Sequence, residues 1–324
     1  MVTVAELGFA PGKSMHAYDD VQALEFGTEG LLVGDRQYMW VEVGLYTYVD
    51  YKAGRQVEPG TFLSQREDPT LTGVMPTLVE GGVELTFHKQ DGLFVPSVED
   101  NADSRIPVSV WGWSGEAVDQ GDEAAEWGSE YVGRPVRLVA VSNEKPRYVE
   151  DDPALGRVGF ADGFTVTVGS TTALEAINTY LESQGKNPMP TDRARATIIL
   201  DGLEVPGEDF PEDYVRTISV VRNGLTLVLE RWKACSRCPI PDTDQTTGER
   251  SRDTRVRPAL GKLGRAGKHV NTEKYGDESG LFLTQNHVVR VPEDMPNDAV
   301  IELRKGDEVM VEYSEDTNWV RQAA

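Results

Sequence analysis

The sequence predicts an α+β fold that is mostly β and barrel-like, with a few flanking helices. Three observations carry that expectation. Short runs rich in β-branched and aromatic residues recur between Gly and Pro signals, as in VTVAELGFA (2–10) and QYMWVEVG (37–44). Hairpin signatures stand at Gly81-Gly82 in LVEGGVELTFH and at Asn223-Gly224 in RTISVVRNGLTLVLERWK. Strands and helices do not alternate along the chain, which argues against a doubly wound nucleotide-binding sheet.

Taken in order, SRIPVSVWGWSGEAVDQ (104–120) supplies further strands. In GDEAAEWGSEYVG (121–133), Ala124, Ala125, Trp127 and Tyr131 recur at helical spacing, with Gly133 as the stop. RPVRLVAVS (134–142) and GFTVTVGS (163–170) return to strand. The second leads into TTALEAINTYLESQGK, where Thr172 and Glu175 fit a capping box and Leu174, Ile177, Asn178 and Leu181 share a face. RATIILDG (195–202) reads as a buried strand, and DEVMVEY (307–313) as the last one. Segments 143–160 and 241–280 read as loops, and the second is long enough to suggest function.

The chain has 324 residues, 39% of them hydrophobic, and can bury a large core in one or two domains. Its net charge of −22 argues against nucleic acid and anionic membranes as partners. The opening MVTVAELGFAPGKSMHAYDD has no basic region followed by an apolar core, and no apolar run approaches a membrane span. With two cysteines there is no disulfide framework, so the expected address is cytoplasmic.

Those two cysteines form Cys235-x-x-Cys238 in KACSRCPIPDTDQTTGER (233–250). The spacing suits a redox dithiol, half a zinc site, a single reactive thiolate or two small buried side chains. Pro239 and Pro241 disfavour the helix that a thioredoxin-like dithiol would open. The histidines (His16, His88, His269, His287) are too scattered to complete a zinc site. Arg237 beside Cys238 and the polar, turn-rich stretch after it favour an accessible thiolate. Basic residues also cluster in ERSRDTRVRPALGKLGRAGK (249–268), either a solvated loop or a surface for an acidic partner. PGKS (11–14) lacks the glycines of a P-loop, yet Lys13, Ser14 and Arg36 of GDRQYM could converge on one phosphate.

Together these stretches resemble the MOSC superfamily, and within it the two-part members related to the mitochondrial amidoxime-reducing component and its bacterial relatives. GFAPGKS, EGLLVGDRQYMWVEV with GTFLSQRE, the strand–helix–strand of 108–142, GFADGFTVTVGSTTALEAIN, DRARATIILDG, ACSRCPIPDTDQTTGE and KYGDESGLFLTQN with IELRKGDEVMVE follow in the family's order. The resemblance implies a MOSC-type β-barrel with flanking helices plus an N-terminal β-barrel domain, divided as 1–118 and 119–324. It implies the molybdenum cofactor, a pterin dithiolene with a terminal phosphate. Cys238 matches the metal ligand, and Lys13, Ser14 and Arg36 match the residues that hold the phosphate. Arg195 matches a cofactor-contacting arginine. Asp162, Ser236 and Arg237 match neighbours of the cofactor, Asp162 with a catalytic role beside Cys238, and Cys235 matches a position not needed as a ligand. The implied activity is two-electron reduction of N-hydroxylated small molecules. Without a ferredoxin-type cysteine pattern or GxGxxG, a separate electron donor of ferredoxin, flavoprotein or cytochrome type is implied, for which the basic 250–268 stretch is a candidate dock. A non-catalytic cofactor carrier and a sulfur-transfer protein are the alternatives. Three departures bear on substrate: Arg195-Ala196-Thr197 replaces Arg-Pro-Asn, an extra run spans 205–224, and Pro239-Ile240-Pro241-Asp242 replaces the apolar-Thr-Thr of the hallmark.

Overall fold

The computed structural model describes residues 1–44, 48–50, 55–87, 90–250, 255–266 and 280–314. His88, His269, residues 251–254 and 267–268 of the basic stretch, and the start of KYGDESGLFLTQN lie outside them.

At the centre is a closed barrel. Around it run Val2–Leu7, Ile198–Asp201, Val166–Ser170, Phe282–Arg290, Leu225–Ser236, Val215–Arg222 and Glu308–Tyr313, which pairs back onto Val2–Leu7. Alternate residues of these strands, among them Val4, Leu7, Val166, Val168, Ile198, Leu200, Leu227 and Leu229, fill the interior and are almost completely buried. Each such side chain contributes about 1.5–3 kcal/mol on leaving water. Val166–Ser170 and Ile198–Asp201 pair in parallel. A parallel pair needs a crossover, and the helix Thr171–Ser183 supplies it.

Beside the barrel a five-stranded sheet runs in the order Arg105–Val110, Trp113–Asp119, Val136–Val141, Tyr38–Glu42, Gly12–Lys13. Tyr38, Trp40 and Leu138 pack on one of its faces with Leu71, Leu85 and the helix Asp122–Val132, which stops at Gly133 as its spacing predicts. A three-stranded sheet, Met75–Val79, Gly82–Phe87 and Gln90–Pro96, closes that side. Sheet membership interleaves along the chain: Val2–Leu7 belongs to the barrel, while Ala23–Phe26 pairs with Ile301–Arg304.

Local differences from the sequence reading have simple causes. Asn223 and Gly224 do form the two-residue turn, both at positive φ. The first hairpin turns at Glu80-Gly81, because Val79 already pairs with Gly82. The helix after Ser170 is capped by Ser170 itself, whose Oγ accepts the Ala173 amide at 3.1 Å, and not by Thr172. Within the expected 241–280 loop, Val256–Lys262 is a short helix that buries Val256, Ala259 and Leu260. The basic stretch is partly internal: Arg265 is 3% exposed and ion-paired with Asp213, and Arg250 donates to the Gln65 and Arg66 carbonyls. Arg255 and Lys262 stay exposed. Among the described residues no helix is long and apolar enough to cross a membrane.

Under the crossover helix lies a buried polar cluster. Arg265 and Gln285 both donate to Asp213, and Ser170 Oγ donates to Glu212 Oε2 at 2.6 Å. Burial, reinforced by the Asp213 carboxylate, pushes Glu212 up from 4.5 to about 8. The folded protein then keeps a proton that the unfolded chain has released, so through this group stability falls as pH rises from 4.5 towards 8. Glu212→Gln, which retains an acceptor for Ser170, should flatten that slope. Its urea midpoint is expected to gain on the wild type between about pH 5 and about pH 9. A constant difference across the range would show that Glu212 does not carry the proton.

Candidate functional site

One cavity of about 440 Å³ lies between the barrel and the five-stranded sheet, and it is lined by Lys13, Ser14, Arg36, Asp162, Arg195, Ser236, Arg237 and Cys238. The structure thus gathers every site residue expected from the sequence. Lys13, Ser14 and Arg36 meet because their segments lie side by side. Gly12-Lys13 pairs in parallel with Tyr38-Met39, and the Arg36 amide donates to the Ala10 carbonyl at 2.6 Å. Gly159 presses on this junction: a Cβ there would stand 2.5 Å from the Asp35 carbonyl oxygen and 2.7 Å from that of Arg36.

Ser14, Arg36 and Arg195 all sit in the left-handed region, at φ of 61°, 44° and 47°. For a residue with a Cβ this costs about 1–2 kcal/mol, so the packing around each must over-determine it. Arg36 Nη1 reaches both carboxylate oxygens of buried Asp35, at 2.5 and 2.7 Å. Arg195 follows the short turn Thr191–Ala194, and its Nη1 donates to Gln245 Oε1 at 2.8 Å. Burial and the Arg36 charge lower it to about 10, against the pull of Cys238.

Lys13 is 5% exposed, and its ammonium is ion-paired with Asp162 while standing 4.5 Å from the Phe62 ring centroid. Burial pushes Lys13 down, and Asp162 opposes the shift. Burial would by itself raise Asp162; the Lys13 charge and hydrogen bond, a bond from Trp111 and the Arg66 charge hold it well below the usual carboxylate range. Asp162 is therefore an anion committed to two cations, with Arg66 Nη2 at 3.3 Å from its other oxygen.

The cysteines arrive on the barrel strand Leu225–Ser236, whose pairing with Phe282–Arg290 shifts register between Arg231 and Lys233 and again between Ala234 and Ser236. Such bulges turn a strand and re-aim its side chains. Both thiols are free and half-buried. Arg237 does not face Cys238, as their adjacency suggested. Its Nη1 donates to Cys235 Sγ at 3.2 Å and its Nη2 to the Ala194 carbonyl at 2.6 Å. Residues two apart on extended chain share a side, whereas neighbours point apart. The cation coupled to Cys238 is Arg195. Two cavity residues went unassigned in the sequence: Arg66, whose signal lay in the quoted Ser-Gln-Arg segment, and Lys233, which precedes the cysteines without any distinguishing motif.

A cavity with a free thiol at one wall and cations around it defines a site for an anionic, thiolate-accepting group. Residues 1–135 match the MOSC N-terminal beta barrel domain. The chain is 25% identical over 256 residues to the mitochondrial amidoxime-reducing component 1 of Xenopus laevis, covering 76% of this chain and 66% of that protein. The human protein of the same name is also 25% identical, over 77% of this chain and 68% of its own length. The molybdenum cofactor sulfurase of Drosophila yakuba is 29% identical over 78% of this chain, which spans only 29% of the sulfurase. The chain thus carries a MOSC N-terminal β-barrel domain and is a distant relative of these molybdenum-cofactor proteins.

Inorganic pyrophosphate is expected to bind the cavity with an affinity that falls with salt. Arg195→Ala should weaken binding by about tenfold or more, the loss of one charge-assisted group worth about 1.5–3 kcal/mol. An unchanged affinity in calorimetric titration would separate Arg195 from anion recognition.

Proposed function

We propose that the chain is a molybdenum-cofactor-dependent oxidoreductase that reduces N-hydroxylated small molecules such as amidoximes and hydroxylamines. The observation that supports this best is the single cavity in which a free thiol, Cys238, meets Lys13, Ser14, Arg36 and Arg195. The residues fit the group. Among the described residues no three His, Cys, Asp or Glu side chains converge, so a metal at Cys238 must bring most of its ligands with it. A pterin dithiolene does so, and a soft thiolate is the protein ligand such a metal prefers.

When bound, the cofactor would supply two-electron oxygen-atom transfer chemistry. Everything else falls to the chain. Cys238 would ligate the metal as its thiolate. Lys13, Arg36 and Arg195 would neutralise the pterin phosphate, with Ser14 and its strained backbone offering hydrogen bonds beside them. Asp162 touches Lys13 and Arg66 and acts by positioning them, a role that replaces the direct catalytic one expected from the resemblance. Ser236 and Arg237 anchor the loop where it leaves the barrel, the Arg237 amide donating to the Leu281 carbonyl at 2.7 Å. Electrons would come from a separate donor protein, for which exposed Arg255 and Lys262 offer a basic contact.

The bond from Arg237 to Cys235 favours a second reading, sulfur transfer through a cysteine pair. One experiment separates the two. Protein made in a cofactor-producing host should contain molybdenum and reduce benzamidoxime with a chemical donor. Cys238→Ala should lose both metal and turnover, while Cys235→Ser keeps most of each. Equal loss in both variants, with no molybdenum in the wild type, would favour sulfur transfer.

A further inference from the structure

A second chamber of about 240 Å³ adjoins the cavity, sharing Asp162, Gly163, Phe164 and Lys233 with it. Its outer wall is the turn Trp111-Gly112 and the residue after it, Trp113. Val110 pairs with Trp113, so these two residues alone connect the strands Arg105–Val110 and Trp113–Asp119. Trp111 stands at φ 53°. A two-residue hairpin turn with positive φ at its first central position takes Gly, Asn or Asp there, and a tryptophan is among the least suited residues. The chain nevertheless places glycine second and tryptophan first.

The misplaced indole is also 42% exposed, and it is held on several sides. It hydrogen-bonds Asp162. The Arg66 guanidinium lies 4.1 Å from its ring centroid, and Phe62 meets it edge-on at 4.9 Å. An exposed aromatic that is both locally strained and immobilised is a preorganised contact surface, because its ordering cost is met before any ligand arrives.

The chamber's charges are engaged among themselves. Arg147 lies 5.1 Å from the Trp113 ring centroid and donates to the Gly159 and Ala161 carbonyls, while Asp151 opposes its charge. Lys233 bonds Glu150 Oε1 at 2.5 Å, and Trp232 donates to the other oxygen at 3.1 Å. Lys233 also stands 5.0 Å from the Phe164 ring centroid. What remains for a ligand is aromatic surface, in a space that suits a single substituted ring.

We propose that this chamber is a binding subsite for a flat aromatic group stacked on Trp111 and Trp113, and that it receives the aromatic end of a substrate whose reacting end lies towards Cys238. The second half of that statement rests on the reductase reading. The subsite is tested without turnover, on cofactor-free protein, by calorimetric titration with benzamidoxime and with acetamidoxime, which differ only in the tail. Benzamidoxime should bind about tenfold or more tightly than acetamidoxime. Trp111→Gly should abolish that preference, and Trp111→Phe should retain most of it. Glycine suits the positive φ, so the thermal midpoint of Trp111→Gly should not fall, and lost binding cannot be ascribed to unfolding. Equal affinity for the two probes, or a benzamidoxime preference that survives Trp111→Gly, would overturn the subsite. In loaded enzyme the same substitution should raise KM for benzamidoxime and leave kcat in place. Preferential binding of benzamidoxime without any turnover would support the subsite while defeating the reductase reading.

Discussion

The mutual repulsion of the cations around one cavity is the constraint that the rest of the structure answers. Lys13, Arg36, Arg66, Arg195, Lys233 and Arg237 all line it, and a close pair of like charges near a protein surface costs a few kcal/mol. Each is given a partner: Asp162 for Lys13 and Arg66, Asp35 for Arg36, Gln245 for Arg195, Glu150 for Lys233, the Ala194 carbonyl for Arg237. Asp35, Asp162 and Glu150 come from three separate segments, so the sheet and the loops that cross it must close together before the cations are tolerable. The chain's net charge of −22 is thus reversed locally. Composition excludes a large polyanion as a general partner, but it says little about a small anion inside one cavity.

Backbone strain is concentrated at the same place. Ser14, Arg36, Arg195 and Trp111 occupy positive φ, and each lies at the cavity or at the chamber beside it. Thr284 joins them at φ 66° on the strand that pairs with the cysteine strand, an unusual conformation for a β-branched residue. Its neighbourhood coincides with the second register shift, where Ser236 meets Phe282. A regular ladder would continue the alternation of Leu225–Ser236 to its end. The bulges break that alternation, so the loop that follows leaves the barrel wall over the cavity.

Much of the fold was legible because its signals are local. The barrel strands announce themselves by β-branched runs, the Asn223-Gly224 turn by two residues at positive φ, and the helix Asp122–Val132 by its spacing and its Gly133 stop. Less legible was anything that depends on what packs above. Ser170 reads as the end of a strand, and only the arrival of the helix makes it a cap. Arg265 reads as one more charge in a basic run until Asp213, 52 residues away, pairs with it in the core. The site residues were legible as separate motifs, and the cavity is what joins them. Lys233 and Trp111 carried no motif, because their roles come from a register shift and from a turn that defies its own propensity.

The two cysteines show why spacing alone under-determines chemistry. Cys-x-x-Cys invites a symmetric reading, yet the fold treats the two thiols differently. Cys235 lies two residues before Arg237 on extended chain and takes its guanidinium, which is also tied to the Ala194 carbonyl. Cys238 lies past the turn of direction and faces Arg195, a cation already burdened by burial and by Arg36. A negative charge at Cys238 therefore relieves repulsion that the fold has built in, whereas one at Cys235 meets an arginine that is already bonded elsewhere. On electrostatic grounds the thiolate that the cavity rewards is Cys238, and the asymmetry comes from the geometry of the bulged strand and not from any difference between the residues themselves.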